Sequence, residues 1–392
     1  MRRRRNTRFG ITIKPARRGL AGLFRKPKMD VGPWVADPSP LGRIALVIAA
    51  HNEELFLRET IRSAIAAGQP KRDIYVVDDG SWDRTREIAK EELGFLNVTT
   101  IPNSGKSNAI NYIVNSKQLP QRYDWIHLTD ADGMFGKDYF RILRRSLRPE
   151  SAVASAYMRS LPGTRTAKYR IYEYAWAMEL VRPFQTLLNL ITIVPGPTAC
   201  FRADVFEKLS WGGGTMTEDF DVTMQVRRRK LGKVQFIREA YVLTQDPENL
   251  RDFANQILRW YRGLFQVVKL HGLGLKMKRE DFYFIYQFIE VIFVFALFFI
   301  IGPLSAFLTG NWTFLSLLFL YHVVTMMLGI LAMSVVAREF SMLLFFPRYY
   351  VMRWLNLLVF LFAFVEVELL GKHKPGDNRW STVGRRYAIE TN

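Results

Sequence analysis

Several residue types and patterns are scarce in this 392-residue sequence, and each scarcity excludes a class of protein. The single cysteine, Cys200, excludes an intrachain disulfide framework and a zinc site built from several cysteines. No GxGxxG pattern follows the first predicted strand, which disfavours a dinucleotide dehydrogenase, and no P-loop pattern occurs, which disfavours an ATPase. With 49% hydrophobic and 14% aromatic residues, the chain is instead typical of a folded protein of two or three structural units.

Acidic residues are also scarce, because 36 Asp and Glu stand against 55 Lys and Arg and give a formal net charge of +19. The excess is concentrated in residues 1–30, which contain one acidic residue, Asp30. We interpret residues 1–42 as a basic N-terminal tail, and we expect no export signal there because its apolar stretches are short. A solvated tail and a tail bound to anionic lipid both fit this composition. We expect no nucleic-acid partner, because no nucleic-acid-reading fold accompanies the basic run.

Long apolar stretches are confined to the C-terminal part of the chain. Residues 283–308 and 313–337 each exceed the roughly 20 apolar residues that a helix needs to cross a bilayer, and neither has the polar face of a soluble helix. We therefore predict two membrane-spanning helices. Residues 340–351 contain Pro347, whereas residues 354–370 are largely apolar, which indicates an interfacial helix followed by a third span within a transmembrane region at 282–371.

The predicted spans raise a conflict of topology. Three crossings would place the tail at residues 372–392 on the side opposite the polar region that precedes the spans. That tail is basic, and basic segments favour the cytosolic side. If the polar region is cytosolic, one apolar stretch is re-entrant or lies flat, and the sequence leaves the number of crossings open. Residues 263–281 mix Leu, Val and Phe with Lys and Arg, which predicts an amphipathic helix in the headgroup layer.

Residues 43–262 have the pattern of a soluble α/β domain. Strand patterns alternate with helical patterns, the strands at 43–50, 73–77, 97–101 and 124–129 and the helices at 53–67, 82–93 and 104–115. This alternation predicts a doubly wound, mostly parallel, Rossmann-like sheet with right-handed crossovers. Ligands bind such sheets at the carboxyl ends of the strands.

A polar cluster follows each of the four predicted strands: HNEE, DDGSWD, NSGK and DADG in chain order. Each alone fits ordinary loop or capping chemistry, but four at one sheet edge predict a cleft. Asp130 and Asp132 can direct two carboxylates at one hard cation, and Lys106 at a helix start can bind phosphate. Asp78 and Asp79 can accept hydrogen bonds from a base or ribose. Together these groups predict a nucleotide whose diphosphate is a leaving group.

The ordered series IAAHNEE, VVDDGSWDRT, NSGKSNAIN, TDADG, PGPTACFRADVF, TEDFD and QILRW resembles glycosyltransferase family 2. More narrowly, it resembles the membrane-embedded processive synthases of poly-N-acetylglucosamine, chitin oligosaccharides, hyaluronan and cellulose. The resemblance covers residues 43–270 in order and extends loosely over the apolar stretches. It implies a GT-A-type catalytic domain followed by an α-helical transmembrane region. It also implies a multi-pass protein of the cell (inner or plasma) membrane whose catalytic domain faces the cytoplasm.

The resemblance also implies roles for individual residues. Those implied to bind the donor nucleotide are His51, Asn52, Glu53, Asp78, Asp79, Lys106 and Asp130. His51 stands where most members have a tyrosine that stacks on uracil. Asp130 and Asp132 match the metal and ribose contacts, which implies Mg²⁺ or Mn²⁺ as cofactor.

Two later motifs carry the implied catalytic and acceptor-site groups. In the TED motif, Thr217 matches a substrate contact and the carboxylates of Glu218 and Asp219 match catalytic positions, with Asp219 as the base. The QxxRW residues, which join the pyrophosphate to the acceptor site, are Gln256, Arg259 and Trp260. Trp260 also fits a membrane-interface aromatic residue, because it is close to the first span.

These residue types suit an inverting sugar transfer, because a carboxylate can accept the proton of a sugar hydroxyl while a cation and an arginine stabilise the leaving diphosphate. We predict a membrane-embedded enzyme that uses a UDP-sugar, UDP-N-acetylglucosamine, to elongate a β-linked polysaccharide and is coupled to secretion. The alternative is transfer of a single sugar to a lipid carrier or glycolipid acceptor. QILRW favours elongation, whereas the lack of spans before residue 43 favours the alternative. A channel built from the C-terminal spans alone would be narrow, so an accessory membrane subunit or a homo-oligomer is expected to complete it.

Overall fold

The computed structural model describes residues 42–161, 167–212, 214–247 and 249–374. The predicted basic N-terminal tail, apart from its last residue, and the C-terminal tail from residue 375 onward lie outside the described residues.

An eight-stranded sheet forms the centre of the described soluble domain. Its strands are β1 (Ile44–Ala50), β2 (Ile74–Asp79), β3 (Val98–Ile101), β4 (Trp125–Asp130), β5 (Met134–Phe135), β6 (Ser151–Ser160), β7 (Cys200–Arg202) and β8 (Lys233–Thr244). The spatial order is β3-β2-β1-β4-β7-β6-β8-β5. The first four strands are mutually parallel and β6 is parallel to β8, whereas β7 and β5 run antiparallel to their neighbours. The predicted mostly parallel sheet is confirmed.

Helices cover both faces of this sheet. The helices of the soluble domain are α1 (Leu57–Ala66), α2 (Thr85–Leu93), α3 (Lys106–Ser116), α4 (Leu119–Arg122), α5 (Tyr139–Ser146), α6 (Ala167–Ala175), α7 (Arg182–Leu187), α8 (Ala203–Phe206), α9 (Glu218–Arg228) and α10 (Leu250–His271). Alternate residues of β1 enter two separate cores, with Ile48 packing in the core that contains α1 and Val47 in the core that contains α3. Successive side chains of a strand point to opposite faces of the sheet. Because both faces of β1 are buried under helices, the sheet is doubly wound.

The strand register brings the polar clusters to one edge. Ala50 at the end of β1 is level with Asp78 of β2, and Ala49 is level with Asp130 at the end of β4. Since these strands are parallel, the loops that leave them emerge side by side, as the sequence predicts.

Three apolar helices follow the soluble domain. Each is long and apolar enough to cross a membrane: the first apolar helix is Arg279–Thr309, the second Thr313–Val336 and the third Phe340–Leu369. Their regular α-helical parts are α11 (Arg279–Ala296), α12 (Gly302–Thr309), α13 (Thr313–Ala337) and α14 (Phe346–Phe364), with π-helical turns at Leu297–Ile301 and Val365–Leu369 and a 3₁₀ helix at Phe340–Phe345. The first two agree with the predicted spans.

Two predicted helix boundaries differ from the structure. No single helix covers residues 263–281, because Gly272, at φ +57°, ends α10 and the next helix starts only at Arg279. Residues 340–351 and 354–370, predicted as two separate helices, form one continuous helical segment. Pro347 does not interrupt it, because it lies in the first turn of α14, where no intrahelical N–H bond is lost.

Candidate functional site

The end of β2 is tied to the start of α3 through Asp79. The Asp79 carboxylate accepts hydrogen bonds from the backbone N–H groups of Ser104 at 2.8 Å and Gly105 at 2.9 Å. Gly105 adopts φ +86°, a conformation that a side chain disfavours and glycine permits. The buried Asp78 beside it accepts from Ser81 N through Oδ1, while its Oδ2 has no hydrogen-bond partner among the described residues. The predicted second and third clusters therefore meet at one edge of the sheet.

Residues of the first cluster, HNEE, contact those of the second, DDGSWD. Nδ1 of His51 lies 2.8 Å from the carbonyl oxygen of Asp79, and Nδ2 of Asn52 lies 3.1 Å from Nε2 of the same imidazole. The side chain of Asn52 also accepts a hydrogen bond from Trp82 N at 3.1 Å. Glu53 is buried, and its backbone N–H donates to Thr85 Oγ1 at 2.7 Å. His51, Asn52 and Glu53 thus lie at the same sheet edge as Asp78 and Asp79.

Lys106 joins the fourth cluster to a helix that is distant in the sequence. Its Nζ lies 2.6 Å from Asp130 Oδ1, at the end of β4, and 2.7 Å from Glu218 Oε1, at the start of α9. Burial lowers the pKa of Lys106, but the two carboxylates more than offset this and raise it above its ordinary value. The ammonium group is therefore charged and pairs with two acids that face the same cleft.

Asp219 lies next to this cluster with a perturbed pKa. Its Oδ2 accepts from Gly196 N at 3.3 Å, and its Oδ1 accepts from Phe220 N at 2.8 Å. Lys106, Gly196, Glu218 and Asp219 line one pocket. Burial and the negative charge of Glu218 raise the pKa of Asp219 to about 6, against the opposing effect of Lys106. A carboxylate with a pKa near neutrality in a cleft is typical of a group that exchanges protons with substrate.

Asp132 is buried at 4% exposure, close enough to Asp246 for their charges to interact. Burial raises the pKa of Asp246 to about 7, and the charges of Glu173 and Asp132 act in the same direction. Carboxylate oxygens are the donors that hard divalent cations prefer, so the pair Asp130 and Asp132 fits such an ion chemically. Within the described ranges no group of three or more His, Cys, Asp or Glu side chains is arranged to hold a metal.

The side chains of the QILRW motif on α10 contact two different parts of the domain. Arg259 Nη1 donates to the carbonyl oxygen of Met216 at 3.3 Å, directly before the TED motif. Gln256 and Trp260 instead surround Arg170 of α6: Arg170 Nη2 donates to Gln256 Oε1 at 2.6 Å, and its guanidinium lies 4.7 Å from the Trp260 ring centroid. The structure therefore brings Arg259 toward the cleft and places Trp260 against a buried cation.

Four residues near the site were not among the predicted ones: Arg170, Arg182, Gly196 and Asp246. A Cβ atom on Gly196 would lie only 3.0 Å from Lys106 Nζ, so a larger residue would crowd the cluster. For Gly196, the sequence signal that could have indicated a site residue was its position within the PGPTAC motif. Arg182 is buried and interacts electrostatically with Asp219, and burial lowers its pKa to about 10. Asp219 lies 37 positions along the chain from Arg182, so no local pattern indicates this interaction.

Substituting Gly263 by alanine tests the contact between α10 and the TED motif. A Cβ atom there would lie 2.5 Å from Thr217 Oγ1, so Thr217 or α10 must move. We expect a loss of about 1–3 kcal/mol in stability, as for overpacking in a filled interior, together with a clear loss of turnover. Gly329→Ala is the matched control, because a Cβ atom there meets only atoms 3.7 Å away. Equal thermal unfolding midpoints and activities for the two variants would contradict the prediction.

Known proteins resemble this chain in sequence and fold. It is 26% identical over 281 residues to the probable glycosyltransferase YdaM of Bacillus subtilis, covering 66% of this chain and 65% of that protein. It is 25% identical over 290 residues to a poly-beta-1,6-N-acetyl-D-glucosamine synthase of Staphylococcus aureus, covering 71% and 68%. The match thus spans about two thirds of the length of these relatives. A mannosyltransferase from Pyrobaculum calidifontis, solved in complex with GDP-Man and Mn²⁺, shares the fold with a TM-score of 0.53 and 16% identity, over 90% of this chain and 93% of that one.

A family model described as "Glycosyltransferase like family 2" matches residues 40–263, which contain β1 to β8 and the DDGS, DAD, TED and QILRW motifs. This range is more than half of the chain and coincides with the sheet and the cleft described above. The protein is therefore a glycosyltransferase with a GT-A-type catalytic domain, and it belongs to glycosyltransferase-like family 2.

Proposed function

We propose that this protein transfers a sugar from a UDP-sugar, specifically UDP-N-acetylglucosamine, to a growing β-linked polysaccharide with inversion at the anomeric carbon. The observation that carries the proposal is the cluster in which Lys106 joins Asp130 to Glu218 beside Asp219. It combines a cation suited to phosphate, carboxylates suited to a metal and a carboxylate suited to accept a proton.

The donor nucleotide binds along the strand ends. Asp78 Oδ2, which has no partner among the described residues, accepts a hydrogen bond from the base or ribose, and His51 stacks against the base. Lys106, at the N-terminus of α3, exchanges a carboxylate partner for the diphosphate, where its charge and the helix terminus favour an anion. Asp130 and Asp132 would hold Mg²⁺ or Mn²⁺, whose charge, when bound, neutralises the leaving diphosphate.

Asp219 acts as the general base. The acceptor hydroxyl oxygen forms a bond to the anomeric carbon, the bond from that carbon to the diphosphate oxygen breaks, and the hydroxyl proton passes to the Asp219 carboxylate. The electron pair of the broken bond leaves with UDP, so one displacement inverts the configuration. Gly196 N and Phe220 N hold the carboxylate in place from two sides. A base that is ionised near neutral pH and fixed in orientation is what this proton transfer requires.

The acceptor approaches from the side of α10. Arg259 reaches Met216 O beside the TED motif, which suits a cation that stabilises charge on the leaving diphosphate. Polar side chains of Glu290, His322 and Arg353 line a second pocket among the apolar helices, together with Tyr261 of α10. Polar groups in an apolar helical region are costly and typically mark a substrate route. This pocket supports an acceptor or product that extends toward the membrane.

A donor panel tests the proposal. The purified full chain is offered several UDP-sugars with Mg²⁺ or Mn²⁺, and UDP release and product length are measured. We expect UDP-N-acetylglucosamine to give the fastest release and products of many sugars, with activity lost on chelation and restored by the metal. Products extended by one sugar only would show that the enzyme transfers single sugars and does not elongate a polysaccharide. A GDP-sugar preferred over every UDP-sugar would contradict the proposed donor.

The pH dependence of kcat/KM should report Asp219. Because its pKa is raised to about 6, the ionised base is lost below that pH, and kcat/KM should fall about tenfold per pH unit there and level off above it. The charge of Glu218 contributes to the raised pKa, so Glu218→Gln should move the falling limb to lower pH, even though the variant is slower overall. A limb that stays in place in Glu218→Gln would contradict this origin of the pKa.

A further inference from the structure

The third apolar helix lies lengthwise against α10 instead of leading away from it. Tyr261 contacts Phe360 at a ring-centroid distance of 5.2 Å, and its hydroxyl lies 3.4 Å from Asn356 Oδ1. Further along, Phe265 contacts Phe364 at 5.6 Å. Residue numbers increase together on both helices, so the two helices run side by side in the same direction.

The N-terminal part of the third apolar helix contacts the soluble domain. The Tyr349 ring stacks on the ring of Tyr172, which lies in α6, at a centroid distance of 5.4 Å and an angle of 21°. Nδ2 of Asn356 donates to the hydroxyl of Tyr169 at 2.8 Å and to Glu173 Oε1 at 3.2 Å. These contacts attach the helix to α6.

The C-terminal end of the same helix also contacts the soluble domain. Arg262 of α10 forms an ion pair of 2.6 Å with Glu366, and Lys269 donates to the carbonyl oxygen of Val367 at 2.7 Å. Beyond the helix, Gln266 Nε2 donates to the carbonyl oxygen of His373 at 2.9 Å. Both ends of the third apolar helix are thus held by the catalytic domain.

A helix that crossed the bilayer could not make both sets of contacts. A crossing separates its ends by the hydrocarbon thickness of about 30 Å, which puts one end on the far side from the domain. The first apolar helix does start at the domain, where Arg228 pairs with Asp281. The C-terminal part of the second also lies against the domain, because a Cβ atom on Gly329 would be 3.7 Å from both Tyr172 and Trp176. These two helices therefore have the geometry of a hairpin that leaves the domain side and returns to it.

One face of the third apolar helix has no protein neighbour among the described residues. Its exposed apolar side chains recur at helical spacing: Val351, Leu358, Phe362, Val365 and Leu369. The stripe contains no charged group. Lipid is the occupant that fits it, because a helix with one apolar face and charges on the other lies in the plane of the membrane boundary.

We propose that the chain crosses the membrane twice, through the first and second apolar helices, and that the third lies in the leaflet nearest the catalytic domain, with its exposed stripe against lipid. The basic residues Lys372 and Lys374 then lie on the same side as the catalytic domain, as basic flanks favour. The loop at 310–312, on the other side, carries no charge. In this arrangement α10, which contains QILRW, lies between the active site and the membrane.

Cysteine labelling of the full chain in membranes tests the crossing number. Cys200 is fully buried, so the unsubstituted protein serves as the unlabelled control for a membrane-impermeant maleimide. Leu275→Cys marks the domain side, Asn311→Cys marks the loop between the first two apolar helices, and Lys372→Cys marks the end of the third, with Lys374→Cys as a second test of that end. All four sites are exposed. Intact cells and inverted vesicles give opposite sides of the membrane.

We expect Leu275→Cys, Lys372→Cys and Lys374→Cys to be labelled from one side and Asn311→Cys from the other. Any other distribution, above all labelling of Lys372→Cys together with Asn311→Cys, would overturn the proposal.

Fluorescence quenching tests what covers the exposed stripe. A fluorophore on Leu358→Cys is compared in vesicles of phosphatidylcholine and phosphatidylglycerol with and without doxyl-labelled phosphatidylcholine. We expect several-fold quenching, as for the membrane reference Leu317→Cys, which is 58% exposed on the second apolar helix, and none for Leu275→Cys. Absence of quenching at Leu358→Cys would show that protein, such as a second copy, covers the stripe and would overturn the assignment of lipid.

Discussion

Asp219→Asn should lower kcat by a factor on the order of 10²–10⁴ while leaving the protein folded, because an amide cannot accept the proton of the attacking hydroxyl. The change preserves size and leaves one side-chain oxygen to accept from Gly196 N or Phe220 N. Donor binding should therefore persist. UDP release and the affinity for UDP, measured on the same preparation, separate loss of the base from loss of the site. Full turnover in this variant would remove Asp219 from the mechanism.

The matched control for Asp219 lies two residues along the same helix. Asp221 is also an aspartate with little exposure, but its carboxylate lies 2.6 Å from His271 Nε2 and 3.3 Å from Gln225 Nε2, away from Lys106. Asp221→Asn should lower the thermal unfolding midpoint and leave kcat near that of the parent protein. If it abolished turnover as completely as Asp219→Asn, the activity loss would reflect disturbance of α9 and not proton transfer.

Lys106→Met should reduce kcat/KM by a factor on the order of 10²–10³, the range found when one preorganised charge-stabilising donor is removed. Methionine keeps the unbranched side chain up to the position of Cε but leaves Asp130 Oδ1 and Glu218 Oε1 facing each other without the intervening cation. The affinity for UDP should fall as well, because the same amine is proposed to bind the diphosphate. Lys117→Met, at the other end of α3, is the control and should retain the kcat/KM and the UDP affinity of the parent protein.

The pH profile of Lys106→Met gives a readout that simple misfolding would not produce. The positive charge of Lys106 lowers the pKa of Asp219, so its removal should shift the falling limb of kcat/KM to higher pH. This is opposite to the shift expected for Glu218→Gln. Two variants on the same cluster that move the limb in opposite directions would identify Asp219 as the titrating group. A shift in the same direction for both would contradict that identification.

Local patterns in the sequence were sufficient for the first half of the sheet. The apolar run that becomes β1 predicts a strand buried on both faces, and the structure places its alternate residues in two cores. The polar clusters after β1, β2 and β4 predict a shared edge, which the level ends of these parallel strands confirm. The prediction of one amphipathic helix over residues 263–281 was wrong, because Gly272 within this segment ends α10.

The sequence alone determined the first four strands, the helices between them and the apolar segments, because periodicity and length record whether each segment is buried on one face, on both faces or in lipid. Only the tertiary structure decided which segments meet. The pairing of Lys106 with Glu218, the position of Arg170 between Gln256 and Trp260, and the course of the third apolar helix along α10 each join residues more than 80 positions apart. A hydrophobic pattern specifies that a face must be covered but not by which partner, and that choice depends on the packing of the whole chain.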